Sequence, residues 1–465
     1  MSPADMRPGE AAGAGAQDVG GPPFTDVAAA LRWLDDHIDF ESTMPSRRAI
    51  PTLDRMHAAM SVLGDPHLSI PSVHITGTNG KGSTTAMVTA LLMAQGLTVG
   101  TYTSPNLHTV AERIARDGRP IGAESLTQVL EELASLEPLF PERLTRFELL
   151  TAAAFSWFGD EAVDAMVVEV GLGGTWDSTN VITGDVAVLT NVSFDHTDVL
   201  GPTLEGIASD KAGIAKAGRP VVVGETSPDL VALIESRAAE LGAGPVWMAG
   251  REFGCESNSV AVGGRLVTLW TPDSRYEDVV VPLHGAHQGS NASVALAAAE
   301  AFFGRPLSDD VVTEAFAAVV VPGRLEVLDR HPLLLVDGAH NVAGMAALGR
   351  ALPEEFSVEG ETVAVVGMLS GRDPLAMLDA LAPARVSKVV ACQPDSPRAI
   401  AARDVADAGR ALGLTVLVEP VIADALRVAR GLVDDDGMVV VAGSLYVVGD
   451  ARAAALSGTV PWGGD

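Results

Sequence analysis

Ser72-Val-His-Ile-Thr-Gly-Thr-Asn-Gly-Lys-Gly-Ser-Thr-Thr85 is the stretch on which the reading of this chain turns. It reads as a short strand ending near Ile75, a glycine-rich turn, and a helix from about Ser83 to Gly96. Such a turn gathers backbone N–H groups at the positive end of a helix macrodipole, which suits a phosphate. The candidate phosphate-binding residues are Gly77, Thr78, Asn79, Gly80, Lys81, Gly82, Ser83 and Thr84. Lys81 supplies a point charge for the outer phosphates, and Ser83 or Thr84 a hydroxyl for Mg2+. The stretch departs from a literal Walker A sequence: Ile75 stands where its first glycine would be, and Gly82 separates Lys81 from Ser83. The competing reading is an ordinary strand-to-helix turn.

Outward from this stretch, apolar runs at 97–103, 165–170, 186–190 and 220–223 read as strands. The segments 126–136, 147–158, 204–216 and 288–303 read as helices, as does most of 24–64, with interruptions at Pro45 and Pro51. Strands alternating with helices predict a mainly parallel sheet covered on both faces. Residues 258–283 change to short strands separated by Gly, Pro and Asp, read as antiparallel ribbons appended to that sheet. At Val321-Pro-Gly-Arg324 the pattern restarts, with strands at 333–336, 362–366, 386–391, 415–418 and 438–442. The predicted organisation is a disordered tail over 1–23, a phosphate-loop α/β domain over 24–321, and a smaller Rossmann-like α/β domain over 322–465.

The 465 residues are too many for one typical core. A net charge of −29, from 60 acidic and 31 basic residues, argues against a nucleic-acid or anionic-membrane partner. Only Cys255 and Cys392 occur, so no disulfide framework follows. Residues 1–23 lack the continuous apolar stretch of a signal peptide, and no apolar run is long enough to span a membrane. A cytoplasmic protein is the expectation. Lysine is rare, at positions 81, 211, 216 and 388, so its placement is informative.

Glu169 ends a strand that is otherwise apolar, where a carboxylate is costly unless it is paired or holds a cation. Ligands of open α/β sheets gather at the carboxyl ends of the strands, so Glu169, His196 and Ser104 share the rim of the phosphate loop. Carboxylate, hydroxyl and phosphate oxygens suit Mg2+. Taken singly, Glu169 reads equally as the partner of an arginine, and His196 as a hydrogen-bonded loop residue. Lys211 reads, on sequence physics alone, as a surface lysine. Asp337-Gly-Ala-His-Asn341 reads either as a helix-starting turn or as polar groups facing the phosphate loop. Arg324, at the hinge, reads as a phosphate contact or an interdomain ion pair.

An ordered set of motifs narrows these alternatives. Gly77-Thr-Asn-Gly-Lys-Gly-Ser83, Thr103-Ser-Pro105, Val168-Glu-Val-Gly-Leu-Gly-Gly174, Phe194-Asp-His196, Ser209-Asp-Lys211, Pro322-Gly-Arg324, Asp337-Gly-Ala-His-Asn341 and Gly443-Ser-Leu-Tyr446 occur in this order. Over roughly residues 30–450 the chain resembles the folylpolyglutamate synthase and dihydrofolate synthase family of Mur-type ligases. The resemblance implies an ATP-dependent amide ligase. In that family a pterin-linked carboxylate is phosphorylated and the amine of L-glutamate displaces the phosphate. It implies ATP and two Mg2+ ions as cofactors, with dihydropteroate, reduced folates and L-glutamate as substrates, in a monomer. Ser104, Glu169 and His196 match the family's Mg2+ ligands, beside Ser83, and Lys211 matches a lysine that the family carbamylates into a further ligand. Asn291 and Arg324 match nucleotide contacts. Asp337 and His340 match site residues of the C-terminal domain, counted with Lys81 and Lys211 as catalytic, and Ser444 falls in the late Gly-Ser-Leu-Tyr motif.

Departures from the family pattern fall at Asn106, Asp210, Thr175-Trp176 and Gly371-Arg372, where His, Glu, Arg-Leu and Asp-Lys are common. They leave the ATP and metal positions intact and bear on pterin preference and glutamate handling. A bifunctional dihydrofolate and folylpolyglutamate synthase is the expectation. A single-activity synthase, a ligase of cell-wall precursors and a nucleotide-hydrolysing regulator are the alternatives.

Overall fold

The structure is a computed structural model that describes residues 24–42 and 52–462. The predicted tail at 1–23 and the interruption at Pro45 and Pro51 lie outside the described residues. The phosphate-loop strand, Ser72–Thr76, is buried throughout and lies at the centre of an eight-stranded sheet. From edge to edge the strands are Arg119–Pro120, Ile114–Arg116, Val99–Tyr102, Ala165–Glu169, Ser72–Thr76, Val186–Leu189, Val221–Val223 and Val246–Met248. The last six run parallel and the first two antiparallel. Central parallel strands are apolar on both faces because both are covered. One face buries Val73, Ile75 and Val167 against Met87 and Leu91 of the helix Lys81–Ala94 and Leu296 of the helix His287–Phe303. The other buries Met166 and Val168 against Leu150, Phe155 and Phe158 of the helix Arg146–Asp160.

The helix after the phosphate loop starts at Lys81, earlier than predicted. Gly80 caps it at φ 82°, a conformation that lets the chain turn directly from the loop into the helix. The helix beginning at Leu204 ends at Ala212, before the predicted 216, and Gly213 follows as its cap. The ribbons Gly254–Ala261, Gly264–Trp270 and Arg275–Val281 form their own three-stranded antiparallel sheet and do not join the main one. They pack on the His287–Phe303 helix through Leu269 and Tyr276.

A six-stranded sheet follows, in the order Glu326–Arg330, Leu333–Val336, Met438–Ala442, Thr362–Val366, Lys388–Ala391 and Thr415–Val418. All five predicted strands are present. The sixth, Glu326–Arg330, is antiparallel to its neighbour, and its charged, partly exposed residues hid it from apolar patterning. Loops from the carboxyl ends of strands in both sheets line one cleft: 77–83, 170–173 and 191–196 from the first, 337–340 and 443–446 from the second. Among the described residues no helix is long and apolar enough to cross a membrane.

Candidate active site

Two adjoining cavities fill the cleft. The first, about 400 Å³, is lined by the phosphate loop from Gly77 to Ser83 and by Ser104, Glu169, His196, Lys211, Asn291, Arg324, Asp337 and His340. Every candidate phosphate-loop, metal, nucleotide and catalytic residue therefore lines this cavity except Thr84, which is buried in the helix with its hydroxyl unpartnered. Ser83 is the loop hydroxyl that faces the cavity.

The loop is held from beneath. Thr78 N–H donates to Asn191 O at 2.9 Å, and Asn79 N–H to Asn191 Oδ1 at 3.0 Å. Thr190 Oγ1 returns a bond to Asn79 O at 2.7 Å. A Cβ at Gly77 would lie 1.8 Å from Thr190 Oγ1, and one at Gly80 2.5 Å from Asn291 Oδ1, so both positions demand glycine. The N–H groups of the first helical turn, Lys81 to Ser83, have no intrahelical acceptor and remain for a ligand. Lys81 Nζ folds back onto Gly77 O at 3.1 Å and Thr78 O at 3.3 Å.

Lys211 is no surface lysine. It is 4% exposed, and its Nζ donates to Gly77 O at 2.8 Å, the same carbonyl that Lys81 uses. Burial first, and the neighbouring Lys81 charge second, lower its pKa to about 7. Among the described residues Glu169 makes no ion pair with an arginine, and its only hydrogen bond there is from Ser104 N–H at 3.4 Å. Burial raises its pKa, against the opposing pull of Lys81 and Arg324. His196 adopts φ 48° at the start of a short helix. Burial lowers its pKa to about 3, so its imidazole is neutral.

The second sheet completes the site. Asn341 caps the helix Val342–Glu355 through Gly344 N–H and donates to Asn79 Oδ1 at 3.0 Å and Asp195 Oδ2 at 3.1 Å. Asp337 spends both carboxylate oxygens on backbone donors, Leu325 N–H and Ala339 N–H, each at 2.8 Å. It therefore sets the shape of the loop that carries His340. His340 Nδ1 donates to Gly338 O at 2.8 Å, and its Nε2 stands 3.7 Å from Asp195 Oδ2. Arg372 pairs with Asp195 and donates to His196 Nε2 at 3.4 Å. Burial opposes ionisation of Asp195, but the nearby His340 ring and the Arg372 guanidinium outweigh it and hold its pKa well below the usual carboxylate range.

The second cavity, about 210 Å³ and predominantly apolar, is lined by Phe40, Phe147, Trp176, Arg398 and Tyr446 among others. Ser104, His196, His340 and Leu445 wall both cavities. Ser444 lines the second and caps the helix Leu445–Leu456 through Tyr446 N–H. Phe147, Arg398 and Tyr446 escaped the sequence-based site. Phe147 and Arg398 carry no motif, and only the late Gly-Ser-Leu-Tyr run signalled Tyr446. Arg372 was legible only as a departure.

A phosphate loop on the rim of one α/β sheet, faced across a cleft by a His-bearing loop of a second, defines an ATP-dependent ligase. Residues 75–299 match the Mur ligase middle domain, and residues 323–445 the Mur ligase, glutamate ligase domain. A dihydrofolate synthase/folylpolyglutamate synthase of Mycobacterium tuberculosis is 38% identical over 92% of this chain and 95% of its own. The structure of Mycobacterium tuberculosis folylpolyglutamate synthase complexed with ADP superposes with a TM-score of 0.86 at 38% identity, over 92% of this chain and 99% of that one. Escherichia coli FolC in complex with DHPP and ADP gives 0.83 at 28% identity, over 94% and 100%. The chain belongs to the dihydrofolate synthase and folylpolyglutamate synthase family of Mur-type ligases.

Proposed function

We propose that the protein is a bifunctional dihydrofolate synthase and folylpolyglutamate synthase, joining L-glutamate to dihydropteroate and to reduced folates at the expense of ATP. The observation that carries this reading is the shared wall: the phosphate-loop cavity opens past Ser104, His196 and His340 into a cavity with aromatic residues. A flat pterin suits Phe147, Trp176 and Tyr446, and the carboxylate at its far end, benzoyl in dihydropteroate and glutamyl in a reduced folate, then points at the terminal phosphate of ATP.

Lys81 and the N–H groups of the first helical turn hold the phosphates, with Arg324 beside them. The substrate carboxylate attacks the terminal phosphorus, the bond to the ADP oxygen breaks, and an acyl phosphate forms. The amine of glutamate then attacks the acyl carbon and inorganic phosphate leaves. His340 Nε2 takes the proton that the amine loses, and the Asp195 carboxylate balances the charge. Arg372 and Arg398 supply guanidinium groups for the carboxylates of glutamate. The closed cleft keeps water from the acyl phosphate.

The residues present fit Mg2+. Among the described residues no cation pairs with the buried Glu169 carboxylate, and His196 is a neutral imidazole. Among the described residues no three His, Cys, Asp or Glu side chains gather as a metal cluster. The set relies instead on Ser83 and Ser104 hydroxyls, phosphate oxygens and Lys211 as a carbamate, a balance suited to Mg2+. One or two such ions would neutralise charge on the phosphates and the acyl phosphate. Lys211 at a pKa of about 7 holds a reactive neutral amine. Its nitrogen adds to CO2, one proton leaves, and a carbamate results. The resemblance favours a monomer, and a cytoplasmic location fits the substrates.

The test is product mass after incubation with Mg-ATP and L-glutamate, with dihydropteroate in one tube and tetrahydrofolate in another. One added glutamate in the first and extension in the second is the expected result. Product in one tube alone would assign a single activity, and ATP hydrolysis without product would overturn the ligase reading.

A further inference from the structure

Arg265 is the largest fully buried side chain among the described residues, and it belongs to neither cavity. It projects from the three-stranded sheet and crosses to the far end of the helix Val342–Glu355, donating to Glu355 at 2.7 Å and Glu354 at 2.9 Å. The side chains of Arg265 and Glu355 are 2% and 0% exposed. A buried ion pair seldom stabilises a fold more than well-packed apolar residues would. Carboxylates at a helix C-terminus also oppose the macrodipole. Stability alone therefore gives a poor account of this pair.

Its neighbours give a better one. Glu355 accepts Gly285 N–H at 2.8 Å and bonds His284 Nδ1 at 3.0 Å. Arg265 Nε donates to Asn258 Oδ1 at 2.7 Å, and Asn258 Nδ2 to Ala286 O at 2.7 Å. The turn 284–286 is thus held from both sides. It leads straight into the helix His287–Phe303, whose His287, Gln288 and Asn291 line the phosphate-loop cavity. Burial works against the charge on Glu355, yet His284, Gly285 and Arg265 hold its pKa below the ordinary value. The other end of the Val342–Glu355 helix is Asn341, bonded to the phosphate loop at Asn79. With 14 residues, about 21 Å long, that helix is a strut between the phosphate loop and the turn.

We propose that Arg265 and Glu355 are positioning residues for the nucleotide: the Arg265–Glu355–His284 clamp fixes the helix face that meets it and ties that face to the second sheet. This rests on the nucleotide occupying the phosphate-loop cavity. Two variants test it. Glu355→Gln keeps shape and removes the charge. The double variant Arg265→Met/Glu355→Leu replaces the pair with apolar packing and separates folding from positioning. ADP is titrated calorimetrically into wild type and both variants, and KM for ATP is measured beside KM for the folate substrate. The expected result is an ADP Kd and an ATP KM raised about tenfold in both variants, with the folate KM within about twofold. The double variant should melt within about 4 °C of wild type. Loss of stability with unchanged ADP Kd and ATP KM would mean a merely structural pair and overturn the proposal. Wild type failing to bind ADP would overturn the nucleotide assignment itself, and the clamp with it.

Discussion

Lys211→Met separates the cost of a buried lysine from its use. In the folded chain the pKa of Lys211 falls from the ordinary 10.5 to about 7. Keeping that group protonated in the fold costs about 5 kcal/mol, since each pKa unit is worth about 1.4 kcal/mol. The same shift makes the amine reactive. At pH 8 about nine-tenths of Lys211 is neutral, against roughly 0.3% of an ordinary lysine, an advantage of about 300-fold toward CO2. Methionine fills a similar volume without the charge. Allowing for the lost bond to Gly77 O, Lys211→Met should be more stable than wild type at pH 7 in CO2-free buffer by roughly 3 kcal/mol.

The pH dependence has a definite sign. Between pH 7 and 10.5 the unfolded chain carries the Lys211 proton and the folded chain does not, so wild-type stability rises with pH across that window. The methionine variant lacks this contribution, and its advantage should shrink toward pH 10. Its ligase turnover should nevertheless fall by about 100-fold or more, as for loss of a group at a metal centre. Denaturant melts at several pH values, with turnover on the same preparations, make the measurement. In wild type, 13C-bicarbonate should give a carbamate signal by NMR that is absent from the variant. A variant with turnover within twofold of wild type, or less stable than wild type at pH 7, would refute the reasoning.

Lys81→Ala should abolish ATP turnover while leaving the melting temperature nearly unchanged, because the side chain contacts only loop carbonyls; calorimetric melts beside an ATPase assay check this. Glu169→Gln should stabilise the metal-free protein near neutral pH. Its folded pKa is raised, so ionisation costs stability as pH climbs past the ordinary 4.5. The same change should cut Mg2+-dependent turnover by about 100-fold, and melts with and without Mg2+ report both effects. Trp176→Ala should raise KM for the pterin substrate about tenfold by removing a large apolar wall, with the ADP Kd from calorimetry unchanged.

What could be read from the chain followed from locality. The phosphate loop, its strand and its helix are contiguous, so Gly77, Gly80 and Lys81 announced themselves within fourteen residues. Glu169 was legible because a carboxylate in an apolar strand is anomalous wherever the strand lies. The use of Lys211 was not legible: helical spacing puts it on the stripe of Ile207, Ala208 and Ala212, but its acceptor, Gly77 O, lies far back in the chain. Arg372 and Asp195 meet only when the two sheets face each other, and no local pattern encodes that pairing. The misplaced start of the phosphate-loop helix has a local cause. Gly82 argues against helix by propensity, but the left-handed Gly80 and the docking against Asn291 fix the first turn anyway.

The charge balance of the cleft explains how a chain of net charge −29 can take anionic substrates. Its carboxylates are already engaged. Asp337 is held by backbone N–H groups, Glu148 by Arg55 and Thr145, Glu41 by Arg113, and Asp195 by Arg372 and Asn341. The cations are not. Lys81 and Lys211 meet only carbonyl oxygens, Arg398 meets Glu41 O and Ser370 O, and Arg324 has no hydrogen bond or ion pair among the described residues. Glu169 is the exception, a buried carboxylate with no ion pair among the described residues. The field inside the cleft is therefore set by which charges lack partners rather than by the total, and it favours ATP and glutamate within a surface that repels anions at long range. The second sheet faces the first so that Arg372 pairs with Asp195, which neutralises part of the acidic rim beside His340.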